Sequence, residues 1–290
     1  METITQLAIT LPWLYLGLVT LLGLLVGSFL NVVIHRLPIM LERSWQQEYA
    51  EYFGNPETAC STEPYNLVVP RSACPHCGHL ITALENIPII SWLCLRGRCR
   101  SCQAPISARY PLVELLTGIA SLVIAYYLPP SIATLAALLF TWFLVAMTFI
   151  DLDKMLLPDQ LTLPLLWLGL LLNLNHLFTD LASAVIGAAA GYMVLWCVYW
   201  GFKLLTGKDG MGYGDFKLLA AFGAWFGWQT LPLILILSSL VGAIVGISLV
   251  VTRKHHHANP IPFGPYLCMA GWIALLWGNT IIQWYWRLML

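Results

Sequence analysis

The sequence predicts an all-α polytopic membrane protein with about eight transmembrane helices and a cytoplasmic, zinc-ribbon-like insertion between the first and second of them. The first observation is composition, because 59% of the 290 residues are hydrophobic and only 10% are charged. Soluble domains carry roughly 25% charged residues. The second observation is that the apolar residues form long runs, and the third is that two pairs of cysteines lie within one polar stretch.

Eight apolar runs approach the ~20 residues that a helix needs to cross the hydrocarbon core. They cover residues 11–34, 111–128, 131–150, 161–178, 182–202, 216–228, 231–251 and 265–286. No Lys or Arg occurs in the first 35 residues, so the first run lacks the basic region of a signal peptide and is expected to be retained. We therefore divide the chain into a first transmembrane helix (1–36), a cytoplasmic segment (37–110) and a seven-helix bundle (111–290).

Positive charges are distributed unequally between the two sides of the predicted membrane. All but one of the 14 Lys and Arg residues fall on one side, with Arg287 opposite. The residues on that side are Arg36, Arg43, Arg71, Arg96, Arg98, Arg100, Arg109, Lys154, Lys203, Lys208, Lys217, Arg253 and Lys254. By the positive-inside rule this side is cytoplasmic and both termini face the opposite, outer side of the membrane. We expect contact with membrane lipid and no nucleic-acid partner.

Four cysteines in the cytoplasmic segment form two C-x-x-C pairs separated by 21 residues: Cys74, Cys77, Cys99 and Cys102. A segment of this size buries little apolar surface by itself and needs a cross-link. In the cytoplasm, thiols stay reduced and this spacing is typical of a four-thiolate zinc site. Such a zinc would be structural, because four sulfurs leave no position for a reactive water. A redox pair or unmetallated thiols are the alternatives, and Cys60 and Cys94 lie outside both pairs.

Acidic residues stand at two boundaries between an apolar run and a polar loop. The first cluster contains Asp151, Asp153 and Asp159, and the second boundary carries Asp215. Two carboxylates at one site can share a proton, one acting as a base toward water and the other as an acid toward a carbonyl oxygen. This chemistry suits peptide hydrolysis without a metal or a nucleophilic side chain. Spacing alone does not select one acid from the first cluster.

Glycines precede Asp215 at the second of these boundaries. Gly212 and Gly214 permit unusual backbone angles and close approach of the backbone to a ligand. The run that follows, 216–228, has only 13 residues, so we expect a short helix that carries Asp215 into the protein. Because Asp215 begins a helix and Asp151 ends one, the helix dipoles predict that Asp215 is ionised and that Asp151 carries the shared proton. Glu114, near the start of the second run, is either a dipole partner or part of a site.

These motifs together resemble the bacterial type IV prepilin peptidases, over nearly the whole chain. The residues that carry the resemblance are Cys74, Pro75, Cys77, Gly78, His79, Glu85, Asn86, Ile87, Pro88, Cys99, Cys102, Arg109, Tyr110, Pro111, Asp151 to Asp159, Gly212 to Asp215, and Pro262 to Pro265. The G-x-G-D element alone is shared with presenilin-like proteases. The resemblance implies that Asp151 and Asp215 are the catalytic pair. We assign supporting or capping roles to Asp153 and Asp159.

The resemblance also implies a bifunctional enzyme of the bacterial inner membrane. Such an enzyme cleaves the leader of type IV prepilins and type II secretion pseudopilins on the cytoplasmic side and methylates the new N-terminal residue, usually Phe, with S-adenosylmethionine. No Rossmann-type methyltransferase domain is visible, and only Glu85 and Asn86 are candidates for the methyl-donor site. The alternatives are a presenilin-like intramembrane protease without methyltransferase activity, or a non-enzymatic assembly scaffold or transporter.

Overall fold

A computed structural model describes residues 2–53, 64–251 and 261–289, and these residues are organised as α-helices joined by short turns. Within those ranges there is no β-strand, and the only β pairing is two isolated bridges, Ala73 with Leu80 and Arg98 with Pro105. Cys60, Arg253 and Lys254 lie outside the described residues. The chain divides into two compact units, residues 1–134 and 135–290.

The first unit contains two long packed helices and the cysteine-containing segment between them. Its helices are α1 (Glu2–Thr10), α2 (Pro12–Phe53), α3 (Ile90–Cys94) and α4 (Arg109–Tyr127). Glycines bring α2 and α4 into close contact. A Cβ added at Gly27 would lie 2.8 Å from the Cα of Glu114, and one added at Gly118 would lie 2.6 Å from a methyl carbon of Leu24. Close packing at small residues is the usual way in which membrane helices associate.

The first long helix continues well past the end predicted near residue 36. α2 has 42 residues and includes Pro38, so it is about 63 Å long at 1.5 Å per residue. That length is about twice the ~30 Å hydrocarbon core. The predicted boundary relied on the end of the apolar run at the charged residue Arg36. After Pro38, good helix formers such as Met40, Leu41, Glu42 and Gln46 continue the helix.

The second unit is a bundle arranged around one short central helix. Its helices are α5 (Ile132–Lys154), which begins at the end of the first unit, α6 (Asp159–Asn173), α7 (Leu181–Thr206), α8 (Tyr213–Phe226), α9 (Leu231–Val251) and α10 (Gly264–Met289). Every residue of α8 from Leu218 to Trp225 is buried. The fully buried aromatic side chains Phe140, Phe222 and Trp225 pack together in its core.

Glycines also allow α7 and α8 to pack backbone to backbone. A Cβ at Gly191 would lie 2.6 Å from the carbonyl oxygen of Leu219, and the backbones of Gly187 and Gly223 lie closer still. Asn173 fixes the opposite end of α8. Its amide nitrogen donates to the carbonyl oxygens of Ala224 (2.8 Å) and Trp225 (3.0 Å).

Each of the eight predicted apolar runs contains a helix, and six helices in the described part of the chain are long and apolar enough to span a membrane: α2, α4, α5, α7, α9 with the turn before it, and α10. The chain is an all-α, multi-pass membrane protein. The other two predicted runs contain shorter helices, since α6 has 15 residues and α8 has 14. The sequence predicted a short helix at α8 but a full span at 161–178, where α6 instead ends at Asn173.

Candidate active site and metal centre

Four helix ends meet at one place in the second unit. α5 ends just after Asp151, α6 begins just after Leu157, Asp215 lies in the first turn of α8, and Gly264 is the first residue of α10. Pro158 caps α6 in an extended conformation. The arrangement brings residues from distant parts of the sequence to one polar site within a largely apolar bundle.

Asp151 and Asp215 are both buried at this site, with relative exposures of 5% and 7%. Their carboxylates lie close enough to repel one another electrostatically. Asp151 Oδ2 accepts a hydrogen bond of 3.0 Å from the backbone N–H of Gly264. Among the described residues, no group hydrogen-bonds Oδ1 of Asp215. Buried polar atoms without a partner are rare in proteins and indicate a water, an ion or a catalytic role at that position.

Gly264 allows the start of α10 to approach Asp151 closely, and Gly214 allows the start of α8 to pack against Leu157. A Cβ at Gly264 would lie 2.6 Å from Oδ2 of Asp151 and 3.1 Å from a methyl carbon of Leu157. A Cβ at Gly214 would lie 2.6 Å from the Cβ of Leu157. Leu157 is thus placed between the two glycines. Gly212 has a different role, because it is the N-cap residue of α8 and a Cβ there would meet nothing closer than 3.9 Å.

The first unit carries a compact cluster of four thiols. The sulfurs of Cys74, Cys77, Cys99 and Cys102 all lie within 4.8 Å of one another. The Sγ atoms of Cys74 and Cys102 are 3.8 Å apart, and those of Cys77 and Cys99 are 4.0 Å apart. Four sulfurs at ~2.3 Å from a tetrahedral metal ion are separated by about 3.8 Å. The cluster therefore has the donor atoms and the spacing to hold one metal ion.

The ionisation of these thiols is strongly coupled. Backbone N–H groups of His76 and Cys77 hydrogen-bond the sulfur of Cys74 and lower the pKa of its thiol to about 7. At Cys102 the N–H of Ala104 lowers the pKa, but burial and the neighbouring thiols outweigh it and raise the pKa to about 11. Neighbouring thiolates oppose one another's ionisation, and a cation among them removes this opposition.

Glu85 lies close to the thiol cluster and is engaged within its own segment. Its carboxylate accepts hydrogen bonds from the N–H (2.9 Å) and the hydroxyl (3.0 Å) of Thr82, and His79 Nε2 lies at 3.3 Å. The N–H of Thr82 is the largest cause of a lowered pKa for Glu85. Asn86, in contrast, is exposed.

Comparison with known proteins identifies the family. The family models Bacterial Peptidase A24 N-terminal domain and Type IV leader peptidase family match residues 21–128 and 138–247. The prepilin leader peptidase/N-methyltransferases of Aeromonas hydrophila and Aeromonas salmonicida (strain A449) are 69% and 68% identical to this chain, with 98% of each chain covered. That of Pseudomonas aeruginosa is 58% identical over 91% of each chain. The chain belongs to the type IV leader peptidase family. No solved structure matches it.

In this family member, the other acids of the first cluster are not brought together with Asp151 and Asp215. Asp153 lies two residues after Asp151 in α5 but is exposed. Asp159 is also exposed and forms an ion pair with Lys217, whose Nζ lies 2.6 Å from Oδ1. This pair joins the first turns of α6 and α8.

Sequence reasoning missed Gly264 and Leu157 as residues that shape this family member's site. The Pro-Phe-Gly-Pro motif contributed to the resemblance, but nothing in it indicates that the N–H of Gly264 reaches Asp151. The dipole interpretation of Glu114 is wrong, because the first turn of α4 contains no acid. Glu114 is buried instead, and its Oε2 accepts a 2.8 Å hydrogen bond from the N–H of Ile89.

Proposed function

We propose that this chain is a membrane aspartic endopeptidase that cleaves the leader peptide of type IV prepilins and type II secretion pseudopilins and then N-methylates the new N-terminal residue. The observation that supports the peptidase most directly is the burial of Asp151 and Asp215 within electrostatic reach of each other at one meeting point of helix ends. The full-length similarity to prepilin leader peptidase/N-methyltransferases supports both activities.

The aspartyl pair would act by general acid–base chemistry. One carboxylate takes a proton from a water, which attacks the scissile carbonyl carbon, while the protonated carboxyl donates to the carbonyl oxygen. Breakdown of the tetrahedral intermediate then breaks the C–N bond, and a proton goes to the leaving amine. Burial suits this role, because charge stabilisation is stronger where water is excluded.

Hydrogen bonding favours a proton distribution opposite to the one predicted from the helix dipoles. The Gly264 N–H donates to Asp151, and such a bond stabilises the ionised carboxylate. The unpartnered oxygen of Asp215 is less costly to bury when that carboxyl is neutral. In our proposal Asp151 is therefore the base and Asp215 carries the proton.

Infrared spectroscopy of the purified protein tests this distribution. The carbonyl stretch of a protonated carboxyl should disappear in Asp215→Asn and persist in Asp151→Asn. Loss of the band in Asp151→Asn alone would restore the assignment made from the helix dipoles.

The metal in this proposal is a structural zinc held by the four cysteine thiolates. Four thiolates fill a tetrahedral coordination sphere and leave no position for a substrate or a reactive water. Its contribution would be to stabilise a segment whose described part, 64–108, contains only short helices and isolated bridges.

S-adenosylmethionine would supply the methyl group for the second reaction. We place its site in the cysteine-containing segment and retain Glu85 and Asn86 as candidates. Of the two, Asn86 is more available to a ligand, because its side chain is exposed whereas the carboxylate of Glu85 is hydrogen-bonded to Thr82.

We further propose that the chain resides in the bacterial inner membrane, in contact with lipid, with both termini periplasmic. The thiol cluster and the aspartyl site would face the cytoplasm. The distribution of Lys and Arg supports this orientation, and Asp153 and Asp159 would assist at the cytoplasmic edge of the site.

One experiment tests both activities. Purified protein is incubated with a prepilin peptide and S-adenosylmethionine, and the products are weighed by mass spectrometry. We expect a cleaved and methylated product from the wild type, no cleavage by Asp151→Asn or Asp215→Asn, and only a partial loss of cleavage by Asp153→Asn, in keeping with its supporting role. Cleavage without methylation would support only the peptidase activity and would favour the alternative of a presenilin-like protease. A protein that cleaves nothing yet supports pilus assembly would be a scaffold.

A further inference from the structure

The loop before Asp215 is held by a group of three side chains that the sequence motifs do not include. Tyr199 and Lys203 lie one turn apart near the end of α7, and Asp209 lies in the loop that follows. The Tyr199 hydroxyl donates to Oδ1 of Asp209 at 2.6 Å. The Lys203 ammonium lies 2.8 Å from the same oxygen and donates to the Tyr199 hydroxyl at 3.1 Å. The three polar atoms thus form a closed set of contacts.

The ring of Tyr199 contacts the other end of the same loop. Its centroid lies 5.4 Å from that of Tyr213 and 5.7 Å from that of Phe216, and those two rings are 5.3 Å apart. Tyr213 begins α8 and Phe216 follows Asp215 directly. Tyr199 itself is only 5% exposed. One buried side chain therefore contacts both ends of the loop, through its hydroxyl at Asp209 and through its ring beside Asp215.

The rest of the loop is rich in glycine, and Met211 is its one side chain that packs against the hydrophobic core. Gly207 ends α7 with a positive φ of 70°. Gly210 packs on the ring of Phe202, where a Cβ would lie 2.8 Å from a ring carbon. Glycines give the backbone many accessible conformations, so the loop requires contacts such as these to adopt one of them.

We propose that Tyr199, Lys203 and Asp209 form a latch that holds the glycine-rich loop and thereby positions Asp215 for catalysis. These are positioning residues, since none of them touches Asp151 or Asp215 by the contacts described. A simple surface ion pair between Lys203 and Asp209 would contribute little, because exposed pairs are worth about 0–1 kcal/mol. The distinguishing feature is the buried tyrosine, which couples the pair to the first turn of α8. The inference rests on the proposed function, because positioning matters only if Asp215 takes part in cleavage.

Cleavage kinetics of the purified full-length protein with a prepilin peptide test the latch. Tyr199→Phe removes the hydroxyl and keeps the ring, and Asp209→Ala removes the acceptor. We expect each to lower kcat by about 10- to 100-fold, as misplacement of a catalytic group does, with little change in KM. The double variant should be no worse than the more damaging single variant, because both changes break one unit. Asp209→Asn, which keeps an oxygen acceptor, should recover part of the loss.

A matched pair of lysine variants provides the control. Lys203→Gln should lower kcat, whereas Lys208→Gln, in the same loop region but outside the latch, should leave it unchanged. Wild-type kcat in both Tyr199→Phe and Asp209→Ala would overturn the proposal. So would a rise in KM alone, because it would indicate contact with the substrate instead of positioning.

Hydrogen exchange separates the latch from the proposed function. The backbone amide of Asp215, which donates to the carbonyl oxygen of Gly212, and the amides that follow it in α8 should exchange at least about tenfold faster in Tyr199→Phe than in the wild type if the latch orders the loop. Unchanged exchange would overturn the proposal whatever the activity. A wild-type protein that does not cleave the peptide would overturn the proposed function, and the exchange rates would still decide whether the latch holds the loop.

Discussion

Replacing Gly264 by Ala should impair catalysis without unfolding the protein. The new Cβ would lie 2.6 Å from Oδ2 of Asp151, whereas ordinary van der Waals contact begins at 3.4 Å. Either the carboxylate or the start of α10 must therefore move by 0.8 Å, the difference between these two distances. Leu157 restricts the directions in which the new Cβ can shift, because one of its methyl carbons would lie 3.1 Å from that Cβ.

The size of the effect follows from that displacement. A misplacement of about 1 Å at a reacting group can lower the rate about 100-fold, so we expect kcat to fall by roughly 10- to 100-fold. Overpacking of this kind costs about 1–3 kcal/mol of stability, which a stable membrane bundle tolerates. The assay is cleavage of a prepilin peptide under single-turnover conditions, with thermal unfolding measured on the same sample.

Gly278→Ala is the matched control, because Gly278 lies in the same helix and a Cβ there would meet nothing closer than 3.7 Å. It should retain wild-type kcat. If Gly264→Ala also cleaves at the wild-type rate, the contact between α10 and Asp151 does not set the position of the carboxylate, and the reasoning fails.

Three further predictions concern stability and the metal. Asn173→Ala leaves buried carbonyl and N–H groups without partners and should cost about 3 kcal/mol or more, measured by thermal unfolding in detergent. Cys74→Ser or chelation should release the bound metal and make the segment 64–108 sensitive to proteases. Metal affinity should also weaken as the pH falls, because protons compete with the metal for the four thiolates. Gly27→Ala places a Cβ 2.8 Å from backbone of α4 and should lower the midpoint of thermal unfolding, since overpacking costs about 1–3 kcal/mol.

Each of these has a control of the same residue type. Asn175→Ala changes an exposed residue and should be neutral, and equal destabilisation by both asparagine variants would contradict the role of Asn173. Cys94→Ser, outside the thiol cluster, should retain the metal, and metal retained by Cys74→Ser would exclude a four-thiolate site. Gly17→Ala meets nothing within 4 Å, so it should not be less stable than the wild type.

The sequence was sufficient for the features that depend on local pattern. Apolar runs predicted the helices, and the cysteine spacing predicted four sulfurs at one place, because a C-x-x-C turn brings its own two thiols together. The convergence of Asp151 and Asp215 was inferred from the way both stand at loop boundaries and from the resemblance. In each case the relevant signal lay within a few neighbouring residues or within a recurring combination of motifs.

The remaining features depend on contacts between distant residues, and composition does not encode them. The N–H of Gly264 is chemically the same as any other backbone N–H, and only the fold directs it toward Asp151. Nothing in the sequence around Asn173 indicates that its side chain caps the end of α8. The charged residues from Arg36 onward end the apolar run, yet they have enough helix propensity to continue α2.

The enclosure of α8 bears on how the enzyme would respond to its lipid environment. Helices that face lipid tilt or shift when bilayer thickness changes, at a cost of fractions of a kcal/mol per Å of mismatch. From Leu218 to Trp225, α8 is surrounded by protein, so such mismatch would act on its neighbours and not directly on the helix that carries Asp215. The position of Asp215 would then depend little on the length of the lipid acyl chains. The proposed enzyme could work in membranes whose thickness varies with growth conditions.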